Sequence, residues 1–126
     1  VNAKLAPVPP LTPEQVKEFD GYMAAWRERL GLLDWRIVRG RKKSKNMAEV
    51  VIHHPDRLAN YKVGTDFGAT PATPLALEAT ALHEMLHVML CELVNQTEYG
   101  ITDDALQSAE HRVINALVNL LLKTHE

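Results

Sequence analysis

The sequence predicts an α+β domain: an N-terminal helix, a small antiparallel sheet of about three strands, a central helix and a long C-terminal helix. Three observations carry that expectation. A capping signal at Thr12 opens a stretch with apolar residues at helical spacing. Short segments rich in β-branched residues fill the middle of the chain. Two long apolar-periodic stretches, 75–94 and 103–123, fill most of the rest.

Residues 1–11 read as an extended arm, because Pro7, Pro9 and Pro10 lack amide donors and disfavour helix before them. Residues 12–126 read as a single domain. Thr12 can cap a helix, Pro13 suits its first position and Gln15 completes a capping box. Val16, Phe19, Met23, Trp26 and Leu30 then mark one helical face, and Gly31 ends it. Leu33 to Val38 and Ala48 to Ile52 read as strands, and Tyr61 to Gly68 as a third, short one. His53 and His54 lie in a turn-like segment; as neighbours on a strand they would point to opposite faces, which makes them poor co-ligands. Thr73-Pro74 again signals a helix start. Thr102, Asp103 and Asp104 open the last helix, and Lys123 suits its C-terminal end.

The central helix contains His83-Glu84-Met85-Leu86-His87, an H-E-x-x-H pattern. Residues four apart share a helix face, so both imidazoles can aim at one metal ion. Glu84 then stands beside the ion and its water, where a general base is useful. Accidental core histidines are the bland alternative. It is disfavoured because a buried unpaired polar group costs about 1–3 kcal/mol, and Glu84 sits among Leu82, Met85, Leu86 and Val88. Cys91, one turn beyond His87, is expected as a small core residue.

A catalytic zinc needs a third protein ligand. Glu110 and His111 on the last helix are the candidates. The apolar stripe of that helix is taken as Leu106, Ala109, Val113, Ala116, Leu117 and Leu120. With Leu106 at zero, Glu110 falls at about 40°, close to Leu117, and His111 at about 140°, on the flank. Glu110 is therefore the expected ligand, and His111 the alternative ligand or an outer partner.

At these residues the chain resembles a zincin metallopeptidase, and more closely the small gluzincin-like proteins called minigluzincins and the metallopeptidases encoded by phages. The resemblance covers most of the chain from about Leu11 onward and is most specific at HEMLH. It implies one zinc per chain held by His83, His87 and Glu110, with Glu84 as general base in peptide-bond hydrolysis. Larger gluzincins often place an aspartate four residues after the ligand glutamate. Here that residue is Ile114, which leaves Asn115 or Asp66 to support a histidine. A second resemblance is to the SprT-like group, whose third ligand is a histidine and which associates with nucleic acid. Candidate donors to a developing oxyanion are Tyr61, Tyr99, His53, His54 and Arg112.

Arg36 to Lys45 holds six basic residues. A nucleic-acid contact and a solvated loop protecting a sheet edge both fit them, and the second is preferred because stacking aromatics are missing from the loop. A non-catalytic zinc module remains the main rival to an enzyme. Formal charge is −2, so bulk electrostatics does not favour a polyanion. The single cysteine excludes an internal disulfide framework and fits a reducing compartment. The opening VNAKLAPVPP lacks a signal-peptide layout, and no apolar run suits a bilayer span. A protein or peptide substrate and a cytoplasmic setting, in a bacterial or phage-infected cell, are thus expected; no membrane partner is.

Overall fold

The computed structural model describes residues 9–68, 70–96 and 103–125. They form three helices and one three-stranded sheet, in the α+β order expected.

Helix α1 is Pro13–Arg29. The capping box forms: the Gln15 amide donates to Thr12 Oγ1 at 3.1 Å, and the Thr12 amide to Gln15 Oε1 at 2.9 Å. Gly31, just past the C-cap Leu30, takes φ +72°, a left-handed conformation that costs glycine little. Phe19, Met23 and Trp26 bury its inner face. Leu11, assigned to the arm, belongs to the domain instead: it is buried and its amide donates to Thr65 O. Residues 1–8 of the expected arm lie outside the described residues.

Strand β1 is Arg36–Arg39, later than expected. Leu32 to Trp35 closes a turn first, and the Arg27 guanidinium takes the carbonyls of Leu33 and Trp35 at 2.7 and 2.8 Å. Those carbonyls are occupied before a ladder can begin. Strand β2 is Ala48–His53 and β3 is Leu58–Val63, with a 3-10 turn at His54–Asp56 between them. The third strand therefore starts three residues before the expected one. Arg57 makes the turn tight by adopting φ 51°, and its guanidinium binds Asp34 at 2.8 Å.

The sheet is mixed rather than wholly antiparallel. Its order is β1-β3-β2, with β3 antiparallel to β2 and parallel to β1. The connection from Gly40 to Met47 steps across the end of β3, so the basic segment is not a hairpin loop between neighbours. It is pinned instead by Gly40 N to Tyr61 O, Ser44 N to Val63 O and Gly64 N to Met47 O. Arg41, Lys42, Lys43 and Lys45 are all exposed there.

A Cβ on Gly64 would collide with the Asn46 carbonyl oxygen, a backbone atom that cannot swing away. Gly64→Ala should therefore shift this crossover and cost on the order of 2 kcal/mol or more. Urea unfolding checks this; an unchanged midpoint would contradict the close approach.

Helix α2, Pro74–Gln96, is the centre of the fold. It packs against α1, against β2 and against helix α3, Asp103–His125. Thr73 Oγ1 accepts from the Ala76 amide at its start. Leu77, Ala81, Leu82, Met85 and Leu86 are fully buried, as an apolar helix through a core requires. The expected cap at Thr102 lies outside the described residues.

Helix α3 is turned relative to the expected stripe. Val113 and Leu120 are 49% and 58% exposed, and Ala116 is exposed too. Ile114 is fully buried, with Leu117, Val118, Leu121 and Leu122 packed against the core. On the same angular scale Ile114 falls at about 80°, between Glu110 at about 40° and His111 at about 140°. The two candidates therefore flank the buried line, one on each side.

Candidate metal centre

Helix α2 presents His83 and His87 one turn apart, as the spacing requires. Their Nε2 atoms are 3.3 Å apart. Two nitrogens each about 2.0–2.1 Å from a tetrahedral zinc would be about 3.3–3.4 Å apart. His111 reaches the pair from α3, and one ring nitrogen from each of the three residues lies within 4.8 Å of the others.

The partners of the other ring nitrogens are informative. His87 Nδ1 meets Glu110 Oε2 at 3.1 Å. His111 Nδ1 meets the Gln107 carbonyl oxygen at 2.8 Å. A carbonyl and an ionised carboxylate only accept, so both Nδ1 atoms carry the proton. Nε2 of each ring is left as the lone-pair donor, the arrangement typical of metal-binding histidines.

The structure brings His111, the alternative candidate, to the histidine pair and sets Glu110, the expected ligand, against His87 Nδ1. His111 joins the converging set, and Glu110 lies behind His87. Glu110 is the less exposed of the two, and the buried line of α3 runs through Ile114 rather than through the expected stripe. From the flank of α3 an imidazole is long enough to reach the pair. Choosing Ile114, Val118 and Leu121 as the buried line would have exposed the ambiguity in the sequence.

His83 has its pKa lowered to about 4, by burial first and then by His87 and His111, with Glu110 opposing. It is neutral near pH 7, the form that binds metal. Glu84 is 6% exposed. Burial pushes its carboxyl up to about 7, and Glu49 adds to the rise. That range suits a carboxylate that must take up and release a proton near neutrality.

The histidines and Glu84 line an open cleft of about 570 Å³. Asn46, Ala48, Glu49, Val50 and Ile52 form the wall along β2, and Cys91, Gln107 and Glu110 also contribute. A second cleft of about 610 Å³ shares Asn46, Ala48, His83 and Glu84 and continues past Asn115 and Asn119. Cys91 is buried, as expected, and outside the converging set. Glu49 and the Gln107 carbonyl are contributors that motif reading missed, because neither belongs to a recognisable pattern.

Several expected donors are elsewhere. The Tyr61 hydroxyl donates to Asp20 Oδ1 on α1 and lines a different hollow. Burial and Asp20 raise its pKa well above the ordinary tyrosine value, so it is held as a structural hydroxyl. Arg112 is exposed, and neither it nor His53 or His54 lines either cleft. Tyr99 lies outside the described residues. Asp66 accepts from the Gly68 amide in a loop turn, whereas Asn115 does border the second cleft.

Fold and site together define a small α+β protein in which two histidines of the central helix and His111 of helix α3 form a candidate metal centre beside a buried glutamate. Comparison of the chain with protein-family models, with curated proteins and with solved structures returned no match. Among the described residues no helix is long and apolar enough to cross a membrane.

Proposed function

We propose that the chain is a zinc-dependent peptidase, with His83, His87 and His111 as metal donors and Glu84 as general base. The observation that carries the reading is the 3.3 Å separation of two Nε2 atoms beside a buried glutamate held near neutrality. When bound, zinc supplies Lewis acidity, acidifying a water and polarising a carbonyl. Glu84 takes the proton released by that water and later passes it to the leaving amine. Glu110 and the Gln107 carbonyl hold His87 and His111 in the donor tautomer and orientation. Strand β2 is at the sheet edge and forms a cleft wall, so an extended peptide can lie beside it as an added strand.

The three-histidine set favours the SprT-like resemblance over the gluzincin-like one, and the exposed cations of the Gly40–Met47 crossover suit that group's nucleic-acid association. Binding to an oligonucleotide that weakens steeply with salt would support this extension. The function itself is tested by incubating the zinc-loaded protein with a peptide library. Cleavage should appear, stop on chelation and return with zinc. A zinc-loaded protein that cleaves nothing would leave a non-catalytic zinc module as the better reading.

A further inference from the structure

The cleft has an unusual charge inventory. Its lining includes three carboxylates, Glu49, Glu84 and Glu110, and among the described residues neither it nor the adjoining cleft is lined by a lysine or arginine. Glu84 and Glu110 already have work in the reading above. Glu110 is held by His87. Glu49 has no such employment, and among the described residues it forms no ion pair.

Its natural neighbour would be Lys62, directly across the ladder from it. The Lys62 stem leans the other way, with Cγ 3.6 Å from where a Cβ on Gly40 would stand, beside the end of β1. Glu49 is only half-buried, so it keeps its charge accessible. It lies on the edge strand, where an extended substrate would pass. The cleft lining offers Glu49 no lysine or arginine to pair with. A cationic substrate group lying along the edge strand would supply the missing partner.

We infer that Glu49 is a specificity-determining residue that binds a cationic group of the substrate, an ammonium or guanidinium, next to the bond to be cleaved. The inference rests on the peptidase reading of the cleft. Opposite charges meeting in a partly desolvated groove discriminate more strongly than an exposed surface pair does. Cationic substrates are therefore preferred over apolar isosteres of the same length.

The test uses zinc-loaded wild type, Glu49→Gln and Glu49→Lys. The substrates are N-acetylated, C-amidated peptides carrying lysine, arginine, norleucine or glutamate at each position flanking the cleaved bond. A norleucine peptide with a free N-terminus tells an α-ammonium from a side-chain cation. Wild type should favour the cationic peptides by about tenfold or more in kcat/KM, Glu49→Gln should level them, and Glu49→Lys should favour glutamate. A preference confined to the free-N-terminus peptide, and lost in Glu49→Gln, assigns the cation to the α-amine. No preference in wild type, or one that survives Glu49→Gln, overturns the inference.

Calorimetric binding of the blocked lysine and norleucine peptides separates this result from failure of the peptidase reading. If no peptide is cleaved, lysine-peptide binding that is about tenfold weaker in Glu49→Gln still sustains the role of Glu49. Equal binding removes it.

Discussion

Glu84→Gln should lower kcat/KM for peptide hydrolysis by about 10²–10⁴-fold while zinc content stays at the wild-type level. Glutamine keeps the size of a residue that is 6% exposed, and that residue is outside the converging histidine set. What it removes is the ability to accept a proton. Burial places the Glu84 carboxyl near pKa 7 in the metal-free chain, so proton uptake and release are both cheap close to neutral pH. The loss should therefore fall mainly on kcat. If Glu84→Gln hydrolyses peptides at the wild-type rate, Glu84 is not the base and the mechanism proposed here is wrong.

His111→Ala should lose stoichiometric zinc altogether, as His83→Ala and His87→Ala should. Two imidazoles on one helix turn cannot complete the three-ligand set that zinc enzymes use. Glu110→Ala should instead retain zinc with affinity weakened about 10–100-fold, the usual cost of removing an outer partner of a histidine ligand. Elemental analysis of proteins purified without added metal gives the stoichiometry, and competition with a chelator gives the affinity. Thermal unfolding adds an independent readout. Zinc at 100 times its dissociation constant should stabilise the wild type by about 2.7 kcal/mol. That gain should be absent in His111→Ala. The reverse pattern, with zinc lost in Glu110→Ala and kept in His111→Ala, would restore the gluzincin-like ligand set.

Local signals in the sequence were readable where the interactions are local. Thr12, Pro13 and Gln15 sit within one helical turn, so their capping box could be anticipated and does form. The pairing of His83 with His87 is likewise a property of one helix, whose pitch does not depend on the rest of the chain. The placement of Glu84 beside them follows from the same pitch. The burial of α2 was legible because nearly its whole circumference is apolar, leaving no orientation that would expose it harmlessly.

Sheet topology was not legible in that way. Alternating residues mark strands but carry no information on which edges pair. A crossover that skips one strand has to span only about 10 Å, well within reach of the Gly40–Met47 segment. The third donor was hidden for a related reason. Helix α3 carries apolar residues on more than one side, including Val113 and Leu120, which end up exposed. Periodicity alone permits several rotations of such a helix, and a turn of about 120° separates the expected apolar stripe from the line that faces the core. Docking against α2 through Ile114 selects one rotation, and that choice sends His111 to the histidine pair and Glu110 to His87 Nδ1. Residue types and single-helix geometry specified a histidine pair and the glutamate beside it. Only the packing of α2 against α3 and β2 decided the third histidine, the carboxylate behind His87, and the presence of Glu49 in the same cleft.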